Sequence, residues 1–180
     1  MKTSYVVRAQ KMVSRLFPYI ECALSLYEDQ QLVSHIKKNL RLFNNEKHLQ
    51  IKFNYGATRG VFICADYVIK FDLGSCNREY GNCDTEYDTY LDAQDTPYEK
   101  WFAKITPYTV NGFNFWIMPR ASRVGKCENW ADYIDEESLN YIFERVDDLH
   151  VNNIGWLHNH PIIIDYACNF DSIPEEEYSC

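Results

Sequence analysis

Three separated segments of this chain carry residue types that can handle phosphate and a metal ion. The first is Gly56-Ala-Thr-Arg-Gly60, with Lys70 ten residues after Gly60 at the end of Val68-Ile69-Lys70. Small residues let backbone amides approach phosphate oxygens, because no Cβ stands between them. Lys70 on the adjoining strand would then set an ammonium among those oxygens. The plain alternative is a β-hairpin with a partly exposed lysine. The second segment is Asp147-Asp148-Leu-His-Val-Asn-Asn153. A carboxylate and an amide five positions apart in a loop can converge, Asp148 to accept a hydroxyl proton and Asn153 to offer an oxygen to Mg²⁺. Ordinary turn chemistry is the alternative there, since Asp and Asn are common loop residues. The third is Ile162-Ile-Ile-Asp165-Tyr166, which sets an aspartate at the tip of a buried strand. A carboxylate is rarely left buried alone, so Asp165 calls for a cation, a metal ion or several amide donors, or else caps structure.

In chain order the set is a small-residue turn, a strand lysine, a helical glutamate, an Asp-x-x-x-x-Asn loop and a strand-borne aspartate. That order resembles a protein kinase over roughly residues 51–167. It looks closest to the small, divergent kinase-like proteins of bacteria and their phages, with Asp148-Leu149-His150 standing for the usual His-Arg-Asp motif. The resemblance implies ATP and Mg²⁺ as cofactors, with Gly56, Thr58, Arg59 and Gly60 around the phosphates. It implies Lys70 on the α/β-phosphates and Glu86 as its ion-pair partner, with Glu79 as the fallback. Phe115–Pro119 resembles the hinge at the adenine edge, through Trp116 and Met118. Asp148 falls at the catalytic-base position, and Asn153 and Asp165 at the metal ligands. The implied activity is phosphoryl transfer from ATP to a protein hydroxyl. The sequence departs from the family at four points, and the last of them, the missing carboxyl-terminal lobe, favours a second function. The turn has two glycines where the family has three, Val146 replaces the histidine, and Tyr166-Ala167 replaces Phe-Gly. Fifteen residues follow Asp165, too few for the helices that bind peptide substrates. That shortfall suits a pseudokinase-like interaction module, for instance a phage protein that binds and inhibits a host protein.

The elements that must position these groups follow from periodicity. Residues 4–43 read as helices: Val6, Ala9, Val13, Leu16 and Phe17 recur at helical spacing, Pro18 is expected to interrupt, and Asp29 is a plausible N-cap. From Ile51 the pattern alternates, and strands are expected at 51–55, 61–64 and 67–71 in a meander. A helix is expected over 82–93, then two β-prone runs at Trp101–Ile105 and Phe113–Met118 around an Asn111-Gly112 turn. Glu136 to about Leu149 reads as a helix, and Pro161–Asp165 as a last strand. The expected fold is α+β, a truncated kinase-like architecture. It comprises an N-terminal helical extension (1–44), an N-lobe with an antiparallel sheet and one helix (45–119), and a minimal C-lobe carrying the catalytic and metal loops (120–180).

The composition narrows the partners. The 180 residues carry a formal charge of −8 and a pI near 5.1, which disfavours a nucleic-acid partner. A nucleotide and a protein substrate or host target are expected instead. The first ten residues hold no secretory core, and no apolar run reaches membrane-spanning length. Seven irregularly spaced cysteines then read as reduced thiols, which points to a cytoplasmic setting, the host cytoplasm if phage-encoded. No Cys-x-x-Cys or His-Glu-x-x-His pattern argues for zinc, and His158 and His160 read as hairpin-turn residues.

Overall fold

The computed structural model describes residues 4–24, 29–56, 58–73, 82–123, 130–146 and 149–166. Two helices come first, α1 (Tyr5–Leu24) and α2 (Asp29–Lys47), packed on each other. The interruption expected at Pro18 does not occur: α1 runs straight through it. Pro18 sits on the exposed side, while Met12, Val13, Leu16, Phe17, Ile20, Ala23 and Leu24 bury the other. A mid-helix proline costs about 3 kcal/mol. Each of the larger buried side chains returns about 1.5–3 kcal/mol, so a continuous apolar stripe outweighs the local rule.

The expected meander forms as β1 (Lys52–Tyr55), β2 (Arg59–Ile63) and β3 (Tyr67–Asp72), followed by α3 (Asn82–Ala93). With β4 (Thr106–Val110) and β5 (Phe113–Pro119) these make an antiparallel sheet in the order β1-β2-β3-β5-β4. The fold is therefore α+β, with four α-helices among the described residues. Directly paired residues share a face, so Phe53, Phe62, Ile69 and Ile117 lie on one side, with Phe71 and Phe115. Val61 and Lys70 lie on the other, with Asn54 and Trp116.

The phenylalanine face is what α1 and α2 cover. Phe62 stacks on Phe71 at 4.9 Å between ring centroids, Phe71 meets Phe115 at 6.0 Å, and Phe17 of α1 meets Phe115 at 6.3 Å. Helices and sheet thus share one core. Gly60 belongs to it, since a Cβ there would stand 2.5 Å from Phe71 Cζ.

The opposite face meets α3 and a second core with Tyr90, Phe102, Ile142, Ile163 and Tyr166. The strand expected at Trp101–Ile105 lies further on, at Thr106–Val110. Glu99–Trp101 is a 3₁₀ turn, and Phe102 and Ala103 instead pack along the final strand, Ala103 N–H donating to Ile163 O at 2.9 Å. Helix α4 (Glu136–Phe143) stops short of the expected Leu149. The Arg145 amide donates back to Ile142 O at 3.0 Å and tightens the last turn. A small sheet of β6 (Ser122–Arg123), β7 (Ile154–Leu157) and β8 (His160–Ile163) lies last among the described elements. β7 was not expected. Its tight turn to β8 passes through His158 and Asn159, both at positive φ, the requirement of a two-residue hairpin, so His158 lies where a turn was expected. Among the described residues no helix is long and apolar enough to cross a membrane.

Candidate functional site

Strand β3 supplies both a cation and the dock for the helix that neutralises it. Lys70 points from the sheet's inner face, and two residues on, Asp72 ends the strand. The Asp72 carboxylate accepts the Cys83 amide in the first turn of α3, at 3.2 and 3.3 Å. Burial pushes the Asp72 carboxyl up to about 6, against the pull of that amide. One turn along α3, Glu86 faces Lys70. The lysine Nζ donates to both Glu86 oxygens, at 2.7 and 2.8 Å, and to Ile164 O at 2.8 Å. The ammonium is thus held between the Glu86 carboxylate and a backbone carbonyl. Lys70 is 6% exposed and Glu86 0%. A buried carboxylate needs such partners to stay charged.

The third group arrives on the β7–β8 hairpin. Ile164 N–H donates to Asn153 O at 2.8 Å, closing the hairpin base, so Asn153 and Asp165 flank its two ends. Tyr166 then locks the strand exit: its amide donates to Glu86 at 3.2 Å and its hydroxyl to Ala103 O at 2.8 Å. Asp165 pairs with Arg59 at 2.8 Å, and Arg59 also approaches Glu86 at 3.5 Å. Burial works against the Arg59 charge, but the Glu86 and Asp165 carboxylates outweigh it and hold the guanidinium pKa above its usual value.

Between sheet and hairpin lies a cleft of about 800 Å³. Val61, Val68, Met118 and Ile164 form apolar walls, and Lys70, Asp165 and Asn152 a polar end. An apolar slot closed by a few convergent charges suits a flat ring carrying anionic groups. The pairing of β5 with β4 stops at Ile117, so Met118 and Pro119 have no β4 partner where the segment to Ser122 borders the cleft. A hard divalent ion takes carboxylate and amide oxygens and keeps several waters. Asp165 with the neighbouring asparagines fits that chemistry. Among the described residues no group of three or more His, Cys, Asp or Glu side chains is placed to hold a metal ion. Another cavity, about 540 Å³ beside Tyr5, Lys104 and His158, holds no buried charge.

Of the residues singled out from sequence, Lys70, Glu86, Arg59 and Asp165 come together, and Met118 lines the cleft. Asn153 stands at the hairpin base beside Asn152, which lines the cleft. Asp148 and the fallback Glu79 lie outside the described residues. The Trp116 side chain is 2% exposed and packs into the second core, outside the cleft lining; its backbone lies in β5, paired to both β3 and β4. Three turn residues also have local duties. The Gly56 amide donates to Arg59 O at 2.9 Å, the Thr58 hydroxyl accepts from Asn82 Nδ2 at 2.6 Å, and Gly60 lies under Phe71. Sequence reasoning missed Asp72 as the dock of α3, Asn152, and Arg59 as a carboxylate partner. The alternation Val61/Ile63 and Val68/Lys70 could have placed the apolar walls beside Lys70; Asn152 carries no such signal. Comparison of the chain with protein-family models, with curated proteins and with solved structures found no match.

Proposed function

We propose that the cleft binds ATP with Mg²⁺ and passes the terminal phosphoryl group to a protein hydroxyl, as a minimal kinase-like phosphotransferase. What supports this above all is the buried Lys70–Glu86 pair, at 2.7 and 2.8 Å, at the end of a cleft that Asp165 also borders. Glu86 fixes Lys70 before any phosphate arrives, so a positive charge is pre-organised where negative charge gathers. Asp165 and the Asn152–Asn153 pair supply oxygens for Mg²⁺, which offsets phosphate charge. The adenine edge meets the Met118–Ser122 segment instead of Phe115–Ile117, whose strand is paired on both sides. Asp148 takes the acceptor's hydroxyl proton while the phosphorus–oxygen bond to ADP breaks and the one to the acceptor forms. Incubation with γ-labelled ATP tests this on wild type, Asp148→Ala and Asp165→Ala. Label transfer should fall at least about a hundredfold in both variants; equal labelling in all three ends the proposal.

One observation favours a second reading. The Asp165 carboxylate already has a cationic partner, Arg59, at 2.8 Å. A module that keeps the nucleotide cleft but acts by binding another protein, a host protein if the chain is phage-encoded, would tolerate that pair permanently. Thermal stabilisation by ATP with no label transfer identifies this case.

A further inference from the structure

The Arg59–Asp165 pair has a consequence for how the cleft fills. The contacts of Lys70 go to Glu86 and Ile164 O, whereas Asp165 is met by Arg59. Arg59 is therefore the cation that holds Asp165 among the described residues. It reaches there from β2, on the same sheet face as Val61 and Lys70. The guanidinium also contacts Glu86, so one side chain ties strand β2 to both carboxylates of the site. Lys70 pairs with Glu86 and Arg59 with Asp165, so the Asp165 carboxylate already has a cation beside it.

We infer that Arg59 is an exchangeable internal cation, the alternative partner of the carboxylate that faces a divalent ion in the loaded cleft. It occupies one oxygen of Asp165 in the nucleotide-free protein and competes with a metal ion for that carboxylate. The exchange is inexpensive, because the pair is partly solvated, its side chains 21% and 36% exposed. Released from Asp165, the guanidinium is free to make bidentate bonds to phosphate oxygens, the geometry an arginine fork matches best. Arg59 thereby couples the two ligands. A metal ion alone meets a competitor at Asp165, whereas metal together with a polyphosphate gives the displaced arginine a new partner. This rests on the proposed nucleotide site, and it specifies a preference for the metal–polyphosphate complex over the free ion.

The test is Mn²⁺ affinity in the nucleotide-free protein, read by electron paramagnetic resonance. Arg59→Gln should bind Mn²⁺ about three- to fivefold more tightly than wild type, the size of a partly exposed ion pair's competition. The gain should vanish in Arg59→Gln/Asp165→Asn. Affinity no higher in Arg59→Gln, including no measurable binding, overturns the exchange. A wild-type readout avoids any variant that misfolds: the Arg59 guanidinium resonances, set by its Asp165 and Glu86 partners without ligand, should shift strongly when Mg²⁺ and ATP are added together and little with Mg²⁺ alone. Guanidinium resonances that stay unchanged at saturation also overturn it. Stabilisation by ATP is followed in the same samples. Its absence defeats the nucleotide site, while the Mn²⁺ comparison separately decides whether Arg59 competes.

Discussion

Replacing Lys70 with Met tests the site's geometry through stability alone. Methionine fills a similar volume but removes the ammonium, leaving Glu86 fully buried with only the Tyr166 amide at 3.2 Å and Arg59 at 3.5 Å. Breaking a buried pair by deleting one partner costs about 3–5 kcal/mol. A chain of 180 residues is stable by about 5–15 kcal/mol, so Lys70→Met stays folded with little margin. At about 2–4 °C per kcal/mol for this size, the Tm falls by about 6–20 °C. Urea unfolding followed by circular dichroism gives the free energy directly. A cycle with Glu86→Leu and the double variant isolates the pair. The double variant, which buries no orphaned charge, should recover about 2 kcal/mol relative to the sum of the singles. A loss below about 1 kcal/mol for Lys70→Met, or additive effects, would mean that the two groups are solvated in the native protein, and the pre-organised lysine would have to be abandoned.

Further outcomes follow from neighbouring groups. Asp72 has a folded pKa of about 6, above its unfolded value, so its stability contribution is full below about pH 4 and is lost as pH rises through about 6. Wild type should therefore gain about 1 kcal/mol on going from about pH 7 to about pH 5 relative to Asp72→Asn. Parallel pH profiles of the two urea midpoints would contradict that. The two glycines of the turn should separate sharply. Gly60→Ala, whose Cβ would press on Phe71, should cost about 1–3 kcal/mol, whereas Gly56→Ala, with nothing within 4 Å, should be close to neutral in thermal melts. Among the described cysteines, exposed Cys22 should react with a thiol reagent in the native state, as peptide mapping would show. Cys64, its thiol pushed up to about 11 by burial, and buried Cys83 should react only after unfolding.

Much of this arrangement could be read before any coordinates, where the local signal and the tertiary outcome agree. Alternation from Ile51 to Phe71 located three strands, and Asn82–Ala93 formed the helix its spacing suggested. Lys70 and Glu86 could be paired because a strand and the next helix bring them together across only sixteen residues. Where non-local packing decides, the sequence was silent. Trp101, Phe102, Ala103 and Ile105 are all buried, so no period marks them; contact with β8 keeps Phe102 and Ala103 out of the sheet. Pro18 carries a strong local signal that the long apolar stripe of α1 overrides. Arg59 and Asp165 are separated by 106 residues, and neither bears a mark of the other. Trp116 shares a sheet face with Lys70, yet alternation cannot tell that the second core covers this part of the face.

Crystals grown with a non-hydrolysable ATP analogue and Mn²⁺ put the central claim to the most direct test. Anomalous density for Mn²⁺ beside the Asp165 carboxylate is expected, with phosphates near Lys70 and the base between Val61, Val68 and Met118. A nucleotide bound elsewhere, or a cleft left empty at saturating analogue, would contradict it.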